Sequence, residues 1–274
     1  TVLEAVKPMG PEYCNKLKSA LESEKWVDIY ENKGKRSGAY SWGAYGCHPF
    51  VSLNYNDTVD SMFTLAHEMG HAMHSHYTWS NQPFVYGDYT IFVAEVASTV
   101  NEALLMEHLL KTTTDVKERK YLLNYFMEQF RGTLFRQTMF AEFELTVHQK
   151  IENGEPLTFE ELCTIYSNLN QKYYGSEINS SNEKISWEWA RIPHFYTAYY
   201  VYQYATGYSA AITLSQKILN ENGAENYINF LKGGSSKYSI DLLKGAGVDM
   251  TKSEAVEKAM GVFEGLLDEF EKLI

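Results

Sequence analysis

The pentapeptide His67-Glu68-Met69-Gly70-His71 is the sequence feature that most constrains how this chain can fold. Residues four apart on an α-helix lie on one face, with Cβ atoms about 5–6 Å apart, so two imidazoles can reach one metal ion. Glu68 leaves the helix about 100° away from His67, beside such an ion rather than on it. The pattern therefore predicts a helix with two zinc ligands and a general base that activates a zinc-bound water.

The hydrophobic patterning around this motif predicts a mainly α fold. Apolar residues recur at helical spacing in several segments, with a break expected at Gly132. The predicted helices cover residues 11–31, 58–77, 91–110, 115–152, 158–174, 194–222, 224–232 and 251–274. Residues 49–54 alternate apolar and polar side chains, which predicts a half-buried strand. The predicted class is mainly α, with a small β-sheet beside the metal helix.

Glu95 is predicted to be the third metal ligand. It is the only acidic residue between Tyr89 and Asn101, in a stripe that is otherwise largely apolar. A carboxylate that faces a core costs several kcal/mol unless it is paired or bound to metal. The alternative is an exposed glutamate on a solvated face. Three protein ligands leave one position open, as in catalytic zinc sites, so the expected cofactor is one zinc ion.

Two further residues near the motif have open assignments. Glu102 lies two turns after Glu95 and either accepts a hydrogen bond from His67 or His71 or lies at the surface. His74 lies two turns after His67, and a packed or substrate-lining histidine is favoured over a ligand there.

Net charge and cysteine content limit which binding partners and which cellular compartment are expected for this protein. The formal net charge of −11 argues against nucleic acid or an anionic membrane as the main partner. The three cysteines are widely spaced and lack a C-x-x-C pair, which predicts reduced thiols in a cytoplasmic protein. No run of 18 apolar residues and no signal peptide is found, so no membrane association is expected. The oligomeric state is left open.

Several stretches together resemble the thimet-type (M3) zinc oligopeptidases, and among these the oligoendopeptidase F branch. The matching stretches are H-E-M-G-H-A-M-H-S from His67, F-V-A-E-V-A-S-T-V-N-E from Phe92, R-Q-T-M-F-A-E-F-E from Arg136, I-P-H-F-Y from Ile192, Y-Y-V-Y-Q-Y-A-T-G from Tyr199 and F-L-K-G-G-S from Phe230. They cover most of residues 38–250, so the resemblance does not rest on a single motif.

The resemblance implies a zincin-like helical catalytic domain over residues 1–274 that acts as a zinc endopeptidase on short oligopeptides. It also implies that His194 and a tyrosine of the following helix stabilise the substrate oxyanion. Tyr202 matches best, with Tyr196 and Tyr199 as alternatives. Full family members carry a long helical segment before the matched region, whereas only about 66 residues precede the motif here. A catalytic fragment, a cleaved half or a compact relative is therefore expected.

Two other functions are compatible with the sequence. One is a zinc carboxypeptidase or aminopeptidase, which would not cut blocked internal peptides. The other is a peptide-binding module with structural zinc, although structural sites use four protein ligands and only three good ones are present. The strand at 49–54 is expected to bind an extended peptide by edge pairing.

Overall fold

The computed structural model describes residues 1–175 and 183–274, and most of them are helical. The α-helices are α1 (Val2–Ala5), α2 (Pro11–Glu22), α3 (Val59–Asn81), α4 (Ile91–Thr112), α5 (Val116–Gln129), α6 (Arg136–Glu152), α7 (Phe159–Tyr174), α8 (Tyr202–Asn220), α9 (Ala224–Leu231), α10 (Ser239–Gly245) and α11 (Glu254–Glu271). Short 3-10 segments cover Lys7–Met9, Phe84–Tyr86, Glu183–Arg191 and Pro193–Tyr196, and a π-helical segment covers Phe130–Phe135. The strands are β1 (Val27–Asp28), β2 (Tyr40–Trp42) and β3 (Phe50–Ser52). The predicted class is confirmed.

The three strands form one small sheet beside α3, in the order β1-β3-β2. β3 pairs in parallel with β1 (Val27 opposite Val51) and antiparallel with β2 (Ser41 opposite Val51). Both edges of β3 are therefore hydrogen-bonded to neighbouring strands. The prediction that the 49–54 strand binds a peptide by edge pairing is wrong, because that strand is the central one.

Two helix predictions differ from the structure because of local backbone geometry. The helix predicted over 11–31 ends at Glu22. Lys25 has a φ of +55°, and β1 begins two residues later. Just before β1, the carbonyl of buried Trp26 accepts a hydrogen bond from Val51 N at 2.8 Å. The helix predicted over 194–222 begins only at Tyr202, after Tyr199 with a φ of +54°. A left-handed residue cannot continue a right-handed helix.

The described residues form two compact units. The first comprises Thr1–Met127 and Gly207–Ile274, and the second comprises Glu128–Thr206. In the first unit, α3 and α4 pack along most of their length, and their buried faces make up the centre of the core. In the second unit, α6 and α7 enclose an aromatic core that includes Phe140, Phe143 and Tyr166. The prediction of a single catalytic domain stays a prediction.

Where a break is expected near Gly132 the chain stays helical and forms the π-helical segment Phe130–Phe135 between α5 and α6. Within residues 1–175 and 183–274, none of the helices combines the length and the apolar composition needed to cross a bilayer.

Candidate active site

The metal motif lies in the middle of α3. This helix begins after its N-cap residue Thr58, whose hydroxyl accepts a hydrogen bond from Ser61 N at 3.1 Å. His67 and His71 follow one turn apart. Their Nε2 atoms lie 3.2 Å from each other, with the two rings nearly perpendicular. Helical spacing therefore directs both imidazoles to one point, as the sequence predicts.

Close packing of α4 against α3 brings the third side chain to this point. A Cβ added to Gly70 would lie 2.6 Å from both the Ala97 carbonyl oxygen and the Ser98 Cα. The motif therefore has a glycine where the backbone of α4 passes closest. Asn101 of α4, which is fully buried, donates to the Ala66 carbonyl oxygen at 3.1 Å and fixes the register of the two helices.

Glu95 completes a three-residue cluster with the two histidines. Its Oε2 lies 3.4 Å from His67 Nε2 and 3.5 Å from His71 Nε2. Zinc bonds of about 2.0–2.1 Å would place two tetrahedral ligands about 3.3 Å apart. The separations of 3.2, 3.4 and 3.5 Å among these atoms agree with that value. Two imidazole nitrogens and one carboxylate oxygen are also ligand types that suit zinc.

Two further side chains orient the cluster. Glu102 accepts a hydrogen bond from His67 Nδ1, which leaves Nε2 of that ring directed at the cluster. Of the alternatives for Glu102, the contact with His67 is confirmed. Ser98 donates to Glu95 Oε2 at 3.1 Å. Sequence reasoning missed Ser98 and Asn101, although both are polar residues in the buried stripe of α4 and could have been noticed on that ground.

The close grouping of charges shifts the pKa values of the cluster. Burial lowers the pKa of His67, but its hydrogen bonds with Glu102 and Glu95 outweigh burial and raise it to about 10. Burial raises the pKa of Glu95, but the two histidines outweigh it and hold that pKa well below its usual range. In the absence of metal, His67 is therefore a cation held between two carboxylates.

Glu68 lies beside the three-residue cluster and does not belong to it. Its side chain is buried, with the residue 7% exposed. Burial raises its pKa, while the nearby His67 and His71 lower it in part. A raised pKa makes the carboxylate a stronger base near neutral pH than an ordinary glutamate.

His74 is a packed residue, as favoured by its position. It is buried, and its ring stacks on Tyr89 with 3.7 Å between centroids and 9° between planes. Burial and the neighbouring His71 lower its pKa to about 3, so it is neutral at physiological pH. It does not belong to the metal cluster.

His194 and the candidate tyrosines lie in the second unit. His194 Nε2 is 3.1 Å from the Tyr204 hydroxyl, and its ring stacks parallel to that of Tyr200 at 5.6 Å. Tyr202 is the first residue of α8 and is 41% exposed. The structure therefore pairs His194 with Tyr200 and Tyr204, which the sequence prediction did not single out. The roles of His194 and Tyr202 stay predictions, as do those of Tyr196 and Tyr199.

Two histidines from one helix and a glutamate from the next, in a mainly helical fold with a small sheet beside the first helix, define a zincin-like protein. The chain matches the model of peptidase family M3 over residues 2–262. The chain belongs to this family, and the resemblance read from its motifs is confirmed.

Individual relatives agree with this assignment. The chain is 57% identical to oligopeptidase PepF of Bacillus subtilis (strain 168), over 100% of this chain and 41% of that protein. It is 50% identical to the chromosomal oligoendopeptidase F of Lactococcus lactis subsp. cremoris, over 99% of this chain and 45% of that protein. The crystal structure of oligoendopeptidase-F from Enterococcus faecium matches with a TM-score of 0.76 and 42% identity, over 99% of this chain and 42% of that one. The chain thus spans less than half the length of the curated relatives it matches.

Proposed function

We propose that this chain is the zinc-binding catalytic part of a metallo-endopeptidase that hydrolyses short oligopeptides. The observation that carries the proposal is the cluster of His67, His71 and Glu95, whose ligand atoms are spaced as a tetrahedral zinc requires. Family membership supports the same conclusion. Three ligands leave a position open for chemistry, whereas a structural zinc would be closed by a fourth.

The proposed roles follow from the surroundings of each residue. His67, His71 and Glu95 would hold zinc, which when bound supplies a Lewis acid that polarises water and the peptide carbonyl. Glu68 takes a proton from the attacking water and passes it to the leaving amine. Its buried position favours this role, because the neutral acid formed after the first transfer is the form that burial stabilises.

Two hydrogen bonds with residues outside the metal cluster hold the side chains of His67 and Glu95 in orientation. The bond from His67 Nδ1 to Glu102 fixes the ring orientation, and the Ser98 hydroxyl holds Glu95 Oε2. His194 and Tyr202 are retained as proposed hydrogen-bond donors to the carbonyl oxygen of the substrate on the resemblance alone.

The substrate main chain has a place to bind in the first unit. β2 pairs with β3 on one side and is an edge strand of the described sheet. We propose that an extended peptide adds to this edge, which would position the scissile bond through main-chain hydrogen bonds and permit broad specificity.

The decisive variant is Glu68→Gln, assayed with a quenched fluorescent peptide library alongside zinc content. We expect zinc content to be unchanged and turnover to fall by about 10²–10⁴-fold, because the base is lost and the ligands are kept. Glu264→Gln, an exposed position on α11, is the matched control and should behave as the parent chain. Unchanged turnover in Glu68→Gln would refute the mechanism. Glu95→Ala should lower zinc occupancy, and full occupancy would contradict its assignment as a ligand.

Blocked peptides separate the remaining alternatives. An endopeptidase cuts peptides with both termini blocked, and an exopeptidase does not. A binding module would hold zinc and peptide without any cleavage.

A further inference from the structure

A cavity of about 570 Å³ opens beside the metal cluster in the first unit. One wall is a single face of α3, where His71, Ser75 and Trp79 follow at intervals of four residues. Eight residues of α-helix extend about 12 Å. The cavity therefore starts at a proposed zinc ligand and continues for about the length of three to four extended peptide residues.

Aromatic rings dominate the other walls. Trp42 and Tyr45 come from β2 and the loop after it, and Phe84 and Tyr89 come from the segment between α3 and α4. Trp42 is 77% exposed and Phe84 is 79% exposed, so both present apolar faces to solvent at the rim. Large exposed aromatic groups clustered around a cavity are typical of a binding site.

Two of the rings, those of Tyr45 and Tyr89, are held in place by hydrogen bonds and ring contacts. The Tyr45 hydroxyl donates to the Gln82 carbonyl oxygen at 2.7 Å, and the Tyr45 ring meets Phe84 edge-on at 5.5 Å. The Tyr89 hydroxyl lies 2.8 Å from Ser75 Oγ, and its ring rests on the buried His74. The part of the wall formed by Tyr45 and Tyr89 therefore does not have to be ordered when a side chain binds.

Two glycines make room for the rings that form the walls. A Cβ on Gly43 would lie 2.6 Å from the Trp79 ring, and a Cβ on Gly87 would lie 2.6 Å from the Tyr45 ring. A larger residue at either position would displace an aromatic ring. Close packing against Trp79 explains why residue 43 is a glycine, because its φ lies outside the left-handed region that would otherwise favour glycine.

The charge on the lining is negative. Among the described lining residues, Asp88 is the one carboxyl side chain and there is no lysine or arginine; the Asp88 Oδ1 accepts a hydrogen bond from Tyr89 N at 2.9 Å. It lies at the exposed rim. An acidic side chain that entered the cavity would be repelled by this carboxylate while losing its hydration.

We propose that this cavity is a specificity pocket that takes an aromatic or large aliphatic side chain of the peptide next to the scissile bond. The inference rests on the proposed peptidase function, because His71 lines the cavity and also belongs to the metal cluster. Main-chain pairing at β2 then gives broad binding, and this pocket selects among the side chains that flank the bond.

The test uses the zinc-loaded chain and quenched peptides that differ only at one residue flanking the bond, which is Phe, Gly or Glu. In the parent chain we expect kcat/KM for Phe to exceed that for Gly by about tenfold or more at one of the two flanking positions, with Glu lowest. In Trp42→Ala and Phe84→Ala the ratio of kcat/KM for Phe to that for Gly should fall severalfold, because the loss falls mainly on the Phe peptides. Both side chains are largely exposed, so their truncation should leave the fold intact.

Tyr30→Ala is the matched control, because Tyr30 is 66% exposed and does not line the cavity. It should keep the full preference for Phe. Two results would refute the proposed pocket. One is an equal loss of kcat/KM on Phe, Gly and Glu peptides in the Trp42 and Phe84 variants. The other is a parent chain that cleaves the three peptides equally well.

Binding separates this proposal from the proposed function. Calorimetry with Glu68→Gln measures Kd for the same peptides without cleavage. If the parent chain cleaves nothing but Glu68→Gln binds Phe peptides more tightly than Gly peptides, the pocket stands and the peptidase assignment fails. If the parent chain cleaves peptides and binding shows no selection, the pocket fails and the peptidase assignment stands.

Discussion

Gly70→Ala is the change that most directly tests how the metal site is assembled. Gly70 lies inside the histidine motif, yet its side-chain position faces the backbone of α4. Carbon atoms pack at about 3.5–4.0 Å, whereas the new Cβ would lie 2.6 Å from Ser98 Cα. The contacting atoms are backbone and cannot rotate away. The two helices must therefore part by about 1 Å near Glu95.

The expected magnitudes follow from this displacement. Overpacking a core typically destabilises a protein by about 1–3 kcal/mol. Replacing a helical glycine by alanine partly offsets this, because it stabilises the helix by about 0.5–1 kcal/mol. We therefore expect the free energy of unfolding of the metal-free chain to fall by about 1–2 kcal/mol. Glu95 Oε2 now lies 3.4 and 3.5 Å from the histidine nitrogens, and a shift of that size breaks this spacing. Zinc affinity should fall by about 10–100-fold.

The assay combines urea unfolding of the metal-free chain with zinc competition against a chromophoric chelator. Gly261→Ala is the matched control, because Gly261 is also helical and a Cβ there would meet no atom within 4 Å. The control should be slightly stabilised and should bind zinc as the parent chain does. If Gly70→Ala were stabilised like Gly261→Ala and kept the parent zinc affinity, the argument that close packing of α3 and α4 places Glu95 would be refuted.

Two further outcomes are expected from the electrostatics of the site. Glu102→Gln should weaken zinc binding by about 10–100-fold in the same competition assay, because the charged acceptor of His67 Nδ1 is lost. If this variant bound zinc as tightly as the parent chain, Glu102 would have no role in orienting His67. The pKa of His67 is raised from 6.5 to about 10, so the stabilisation it contributes to the metal-free chain is fully present below pH 6.5 and should be lost as the pH rises toward 10. Zinc must displace that proton, so calorimetry at pH 7 in buffers of different ionisation enthalpy should detect about one proton released, and none would refute the charged state of His67.

The local part of the site could be predicted from the sequence. The spacing of His67 and His71 fixes their common face because helical periodicity is a property of the segment itself. The place of a lone acidic residue in an otherwise largely apolar stripe pointed to Glu95 in the same way, because a charge that faces a core requires a partner. The cap at Thr58 also follows from neighbouring residues alone.

Predictions failed where strand pairing or a single residue with positive φ decided the outcome. β3 is central because it pairs with β1, which lies in the segment predicted as a helix, and with β2, where no strand is predicted. Trp26 has helical spacing, but it belongs to a stretch that pairs with Val51 and follows a residue with positive φ. The start of α8 at Tyr202 likewise depends on the positive φ of Tyr199, which its apolar pattern does not encode.

By itself, the sequence determined that this chain is mainly helical, that His67 and His71 share one helix face, and which acidic residues could join them. Each of these follows from periodicity and from the free energy of burying charge. Only the tertiary structure decided that α4 passes within contact of Gly70, that Ser98 and Glu102 orient the ligands, and that an aromatic cavity extends from His71. Those features depend on distances between segments far apart in the chain, and such distances are set by packing rather than by local sequence.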